Sequence, residues 1–286
     1  MVGRLQHCRL YFAANNLYAT DITNLRFLAM HTLCIDIGNT HTQYGLVSGQ
    51  TVVLQEQLPT EYLDDPEVGL GIKLSASRWQ AVGWSAISFC SVVPKAKEAI
   101  RAIAGQSMPC FELSARDCPG LKIAVSHPEE VGQDRLANAI GVQILQTLPS
   151  VVIDTGTAVT FDLVTDRGYE GGIIAPGLEL MTRYLHEQTA QLPLLKEEEY
   201  QITQPIGQTT RQAMQLGCLV GFSGMIQAFI EWMVDALKKQ GRPAPSFIAT
   251  GGSWPHIADL RLQSITYCPS LTLVGLAEAY RRYKEW

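Results

Sequence analysis

Three aspartates, Asp36, Asp134 and Asp154, stand where apolar runs give way to glycine and small polar side chains, and they are the residues around which chemistry can be built. Asp36 closes the apolar run of LCIDIGNTHTQYGLV (residues 33–47) and is followed by Gly38, Asn39 and Thr40. Asp154 closes a second such run in VVIDTGTAVTFDLV, and Asp134 sits between Gly132-Gln133 and Arg135. A carboxylate at a strand end can hold Mg²⁺ directly or through water, and a glycine turn lets backbone N–H groups approach phosphate. Hydroxyls such as Thr40 and Thr157 add donors, and Thr250-Gly251-Gly252-Ser253 supplies a fourth glycine-rich turn. That is the equipment of phosphoryl transfer from a nucleoside triphosphate. Two plainer readings stay open on the residues alone: an ordinary Gly-Asn hairpin at residues 38–39, and a helix cap at Asp134 with Arg135 as its surface neighbour. Nothing matches G-x-x-x-x-G-K-[ST] or the protein-kinase glycine loop with its companion motifs.

The elements that must position these residues repeat along the chain. Residues 33–47 read as strand, turn, strand, and residues 51–57 as a third strand. A helix over 66–80, a strand over 86–93, a helix from Pro94 to about 104 and short strands over 110–113 and 121–125 follow. A further helix carries Leu136, Ile140, Ile144 and Leu145 on one face. Residues 151–175 then repeat the opening. Ile35-Asp36-x-Gly38 matches Ile153-Asp154-x-Gly156, 118 residues on, and a match without gaps also sets Thr42 against Thr160. Helices over 178–189 and 209–240, a strand over 246–250 and a last helix over 271–283 complete the second block. Two Asp-x-Gly turns, each opening a three-strand meander and then a helix, point to a duplicated α/β unit. Gly217, Gly221 and Gly224 leave one face of the long helix bare, which favours close approach by another backbone over a mere kink.

The 286 residues carry a net charge of −5, so no general electrostatic attraction to nucleic acid or anionic membrane is expected, and a small molecule or another protein is the expected partner. The seven cysteines form no C-x-x-C pair and read as thiols of a reduced compartment. No uninterrupted apolar run approaches a membrane-spanning length, which leads to the expectation of a cytoplasmic protein with no membrane partner. Residues 1–30 lack a clean period and are expected to form a poorly ordered extension, with Met30 as the functional start.

The stretches IDIGNT, PEEVGQDRLAN, VVIDTGTAVTFDLV, GGIIAPG, TTRQAMQLGCLVGFSG and ATGG, in this order, resemble the type III pantothenate kinases of the acetate kinase, sugar kinase, heat-shock chaperone and actin superfamily. The resemblance implies an α/β fold of two duplicated ribonuclease H-like domains with an interdomain cleft, over residues 31–149 and 150–286, the last helix unassigned. It also implies a homodimer that phosphorylates pantothenate with ATP, the first committed step towards coenzyme A. The turn of Asp36, Ile37, Gly38, Asn39, Thr40, His41, Thr42 and Gln43 is then expected to bind ATP together with Thr157, with magnesium on Asp36 through water. Gly132, Gln133, Asp134, Arg135 and Thr210 are expected to bind pantothenate, Asp134 acting as general base, and Asp154 to hold a monovalent cation, potassium or ammonium. Two departures stand out. The family usually reads G-A-D-R where this chain has Gln133, which places a larger side chain at the pocket rim. It also often has a tyrosine near Val125, a role left here to Tyr44, Tyr169 or Tyr184. The alternatives are a non-catalytic accessory protein of the same fold, since relatives were first described as accessory factors for transcription, and a kinase for another small alcohol.

Overall fold

The computed structural model describes residues 31–257, 262 and 265–285. The expected N-terminal extension lies outside them. The chain divides into two compact units, residues 31–144 with 270–285, and residues 145–269. Each is built on a five-stranded sheet.

In the first unit, β1 (Thr32–Ile37), β2 (His41–Ser48) and β3 (Thr51–Pro59) form an antiparallel meander, and β4 (Ala86–Ser91) and β5 (Cys110–Glu112) extend it in parallel in the order β3-β2-β1-β4-β5. Leu33, Cys34, Ile35 and Ile37 of β1 are all fully buried, so both faces of the sheet are covered. On one face Leu33, Ile35, Ile37 and Tyr44 pack with Leu70 and Leu74 from α1 (Leu70–Ser75), Trp79 from α2 (Ser77–Val82) and Ile100 from α3 (Ala96–Ala104). On the other lie α4 (Gln133–Leu145) and the last helix. That helix, grouped provisionally with residues 150–286, packs on β1, β2 and β4 of the first unit.

The second unit repeats the pattern with β6 (Ser150–Thr155), β7 (Ala158–Thr165), β8 (Gly168–Pro176), β9 (Ser246–Thr250) and β10 (Thr266–Tyr267) in the order β8-β7-β6-β9-β10. Its strands have the same directions: a meander, then two parallel additions. Duplication is therefore written in topology as well as in sequence. Val151, Ile153, Val159 and Phe161 pack beneath α5 (Leu178–Glu187) and α6 (Thr210–Lys239), which contributes Cys218, Leu219, Phe222 and Ile226. By length and composition α6 is apolar enough to cross a membrane, contrary to expectation; Cys218, Leu219, Phe222, Ile226 and Met233 of it are buried in this core, whereas Val220 and Trp232 are exposed.

Three expectations change in detail. The helix over 66–80 is the pair α1 and α2, interrupted at the extended backbone of Ala76. Residues 121–125 are not a strand: only Ile123 there makes a β-bridge, and β5 is the edge of the sheet. The gapless match of Thr42 with Thr160 slips by one. Asp36 stands opposite Gln43, whereas Asp154 stands opposite Thr160, because the first turn is one residue longer. A one-residue slip reverses faces, so Gln43, not Thr42, is the counterpart of Thr160.

Candidate active site

Alternation along the first sheet places the site. Gly45, Cys34 and Ser88 form one row across β2, β1 and β4, and the next row on the same face is Gln43, Asp36 and Cys90. The last helix, α7 (Leu271–Glu285), covers the lower row, where Ser88 donates to the carbonyl of Leu276. Gly45 lies so close to Leu273 that a Cβ there would meet its Cδ1 at 2.9 Å. α7 also crosses α4 where Gly275 lies against the backbone of Ala137 and Gly141 lies against Leu271. The start of α4 falls beside the upper row, where the backbone N–H of Ser91, the residue after Cys90, donates to Oε1 of Gln133 over 2.7 Å.

This brings Asp36 and Asp134 into one neighbourhood. The Cys90 thiol donates to Oδ1 of Asp36 over 3.2 Å. Burial holds that thiol well above the usual cysteine range, and the fields of Asp36 and Asp134 raise it further. Cys90 is therefore a neutral donor facing a carboxylate. Asp134 is half-buried, and burial raises its carboxyl above the ordinary aspartate value, opposed by the N–H of Arg135 at 2.9 Å and by the Arg135 guanidinium. A carboxylate tuned upward in this way suits a proton acceptor. Gly132 makes room for it, since a Cβ there would stand 2.5 Å from Oδ1 of Asp134.

The turn after β1 is braced from within its own unit. Gly38 N–H donates to the carbonyl of His41 over 3.0 Å, so that N–H closes the hairpin and is not the phosphate donor the sequence led us to expect. Thr60, which the sequence did not single out, donates its hydroxyl to the Gly38 carbonyl over 2.8 Å and its N–H to the Thr40 carbonyl. Thr42 is fully buried with its hydroxyl on Thr60, so it supports the turn from below. Ile37 is likewise buried, whereas Asn39 and His41 are exposed and Thr40 is half-exposed at the tip. Gln43 shares Asp36's face. Tyr44 and Tyr169 cannot close a pocket, because both are buried core residues, bonded to Glu56 and Asp162. Tyr184 is exposed on α5.

In the second unit Asp154 occupies the position equivalent to Asp36, between Thr160 and Thr250. Gly251 follows with φ +90° and lies so close that a Cβ would meet Asp154 Oδ1 at 2.8 Å. The Thr155 hydroxyl donates to the Thr250 carbonyl, and Tyr267 donates to the Gly251 carbonyl. Tyr267 is pushed up to about 12 by burial, with Cys268 and Asp154 adding to the shift. A carboxylate among carbonyl and hydroxyl oxygens is a donor set that fits a hard cation. Thr157 sits in the same turn, with its carbonyl held by Gly177 N–H. Thr210 is exposed at the first position of α6, after the cap that Thr209 provides to Gln212. Thus Asp36, Gln43, Gly132, Gln133, Asp134 and Arg135 belong to the first unit, and Asp154, Thr157 and Thr210 to the second.

Comparison with known proteins adds an independent line. The family model described as type III pantothenate kinase matches residues 32–232. A type III pantothenate kinase of Acidothermus cellulolyticus is 34% identical over 260 residues, covering 87% of this chain and 98% of the relative. One of Akkermansia muciniphila is 35% identical over 249 residues, covering 86% and 97%. Among solved structures, a Campylobacter jejuni protein described as a Baf family transcriptional activator superposes with a TM-score of 0.57 at 17% identity, over 89% of this chain and all of that one. Component A of the (R)-2-hydroxyglutaryl-CoA dehydratase of Acidaminococcus fermentans gives a TM-score of 0.50 at 12% identity, again over 89% and all. These two likenesses concern the fold, two ribonuclease H-like units of the actin-like kind.

Proposed function

We propose that this chain, which belongs to the type III pantothenate kinase family, transfers the γ-phosphoryl group of ATP to the primary hydroxyl of pantothenate, the first step of coenzyme A biosynthesis. The observation that carries the reading is that Asp36, near the end of β1, and Asp134, in the first turn of α4, lie in one neighbourhood around Cys90. An alcohol is a poor nucleophile, so a positioned carboxylate assists by taking its proton. In the proposed reaction the pantothenate oxygen bonds to the γ-phosphorus as the bond to the β–γ bridging oxygen breaks, the hydroxyl proton passes to Asp134, and ADP leaves. Burial of Asp134 favours that transfer, and Gly132 gives its carboxylate the room to point at a substrate.

Asp36 would hold Mg²⁺ and Asp154 a monovalent cation; when bound, these ions offset the charge of the phosphate oxygens. Asn39 and Thr40 are the side chains of the first turn proposed to meet the nucleotide, being exposed and half-exposed, while Gly38, Thr42 and Thr60 hold its shape. Arg135, beside the base, is the group proposed to recognise the pantothenate carboxylate. A homodimer belongs to the same proposal. Among the described residues, a Cβ at Gly217, Gly221 or Gly224 would meet nothing within 4 Å beyond the helix's own backbone, and Trp232 on the same helix is 73% exposed, which favours this face for a second copy.

The test is ADP release on addition of pantothenate, with and without potassium, for the parent and for Asp134→Asn. Pantothenate-dependent release that Asp134→Asn abolishes while still binding ATP is the expected result. No pantothenate-dependent release in the parent would turn the assignment towards another alcohol or a non-catalytic role.

A further inference from the structure

We propose that Gln133 is a positioning residue that fixes the proton acceptor Asp134 to the ends of the sheet, and not a residue of the substrate pocket rim. The inference rests on the reading of Asp134 as the base. Both ends of the Gln133 amide are engaged within the first unit. Its Oε1 accepts from the backbone N–H of Ser91 over 2.7 Å, and its Nε2 donates to Oε1 of Glu112 over 3.2 Å. Glu112 is in turn paired with Lys97 Nζ at 2.5 Å. The amide therefore ties the first residue of α4 to the last residue of β4 and to the end of β5.

The consequence follows from where those anchors lie. Ser91 comes directly after Cys90, whose thiol is bonded to Asp36, and Asp134 comes directly after Gln133. One continuous set of hydrogen bonds thus runs from Lys97 and Glu112 through Gln133 to the β4 strand end that also supports Asp36. The first turn of a helix is its least constrained part, and a clamp there limits the swing of Asp134 relative to Asp36. A methyl group at position 133 would reach neither Ser91 nor Glu112.

Gln133→Ala should lower kcat about tenfold while the KM values for ATP and pantothenate stay within about twofold, because position and not binding is lost. The acid limb of its pH–rate profile should move to lower pH as water reaches Asp134. Hydrogen exchange at the Ser91 amide should accelerate by a similar factor. Gln133→Glu sets a carboxylate against Glu112 and should also impair kcat, whereas the exchange of groups in Q133E/E112Q restores a carboxylate–amide pair and should recover kcat to within about threefold. If Q133A fails to fold, recovery by that exchanged pair still decides the matter. A kcat and pH profile unchanged in Q133A, or no recovery in Q133E/E112Q, would overturn the proposal. Asp134→Asn measured alongside separates the two claims. Normal turnover there removes the base itself, whereas an inactive D134N beside an unaffected Q133A removes only the positioning role.

Discussion

Gly132→Ala perturbs the proposed base, Asp134, without touching a charge or removing a hydrogen-bonding group. A Cβ on residue 132 would stand 2.5 Å from Oδ1 of Asp134 and 3.6 Å from Cδ of Arg135. Ordinary contact begins near 3.4 Å, so the carboxylate oxygen must retreat by about 0.9 Å, or the turn must open by as much. The obstacle is the end of a side chain, so rotation relieves it, and the melting temperature should fall by no more than about 4 °C. The catalytic cost is larger. A base must come within roughly 2.6–3.2 Å of the proton it takes, and a misplacement of about 1 Å costs on the order of a hundredfold in rate. That corresponds to about 2.7 kcal/mol of transition-state stabilisation. The assay is coupled ADP release with both substrates varied. A kcat lowered about a hundredfold, with the KM for ATP within about twofold, is the expected result. Turnover within about threefold of the parent in a normally folded variant would refute the claim that the placement of this carboxylate sets the rate.

Three further perturbations report on acid–base behaviour, packing and assembly. Burial raises the Asp134 carboxyl, so its proton-accepting form is lost at a higher pH than that of a free aspartate, and the acid limb of kcat should lie above about pH 4. The same raised value makes Asp134 favour folding below its unfolded pKa and withdraw that contribution as pH rises through the folded one. Asp134→Asn should therefore melt higher than the parent near pH 8 and lose the advantage towards about pH 4; coincident melting profiles would contradict this. At the α4–α7 crossing, a Cβ on Gly275 would overlap the Ala137 carbonyl, backbone against backbone, so Gly275→Ala should cost about 3 kcal/mol or more in urea unfolding. Parent-like stability would show that the helices have room to part. Among the described residues, a Cβ at Gly221 or Gly224 meets nothing within 4 Å beyond the helix's own backbone, so Gly221→Ala and Gly224→Ala should each stabilise an isolated α6 by up to about 1 kcal/mol. If a second copy packs there, sedimentation should show a weakened dimer at the same time, and an unchanged dissociation constant would place the interface elsewhere.

What the sequence disclosed depended on how local the signal was. Strands β1 to β3 and β6 to β8 were readable because each meander is short-range and opens on an apolar run cut by Asp-x-Gly. The register inside the turns was not readable, since one extra residue between Asp36 and its partner leaves the sequence match intact while exchanging Thr42 for Gln43 on the working face. Long-range partners were also hidden. The last helix was evident as a helix, but its place on the first sheet rests on Gly275 meeting Ala137 and on Thr272 bonding to Asn138, contacts across more than a hundred residues. The anchors of Gln133 were hidden for the same reason, because Ser91 and Glu112 approach it only once β4 and β5 are side by side. Thr60 carried no motif at all. A threonine just past a strand becomes noticeable only when its hydroxyl reaches back to Gly38.

The two Asp-x-Gly turns are copies whose surroundings have diverged, and the divergence bears on what each can do. Asp36 shares its neighbourhood with a second carboxylate, Asp134, and accepts from the Cys90 thiol, which burial holds neutral. Two carboxylates near one another would repel a triphosphate unless a cation lies between them and the phosphate oxygens. Such an arrangement fits the proposed reading of this sheet end as the meeting place of ATP and an acceptor hydroxyl, with one carboxylate for the cation and one for the proton. Asp154 has the matching strand position but is flanked by Thr160, Thr250 and the positive-φ Gly251, with Tyr267 held in its uncharged form. A single carboxylate among neutral oxygens offers about one unit of charge to a cation, which suits a monovalent ion better than a divalent one. On this argument, duplication supplied two equivalent strand ends, and the helix start that carries Asp134 turned only the first of them into a place for chemistry.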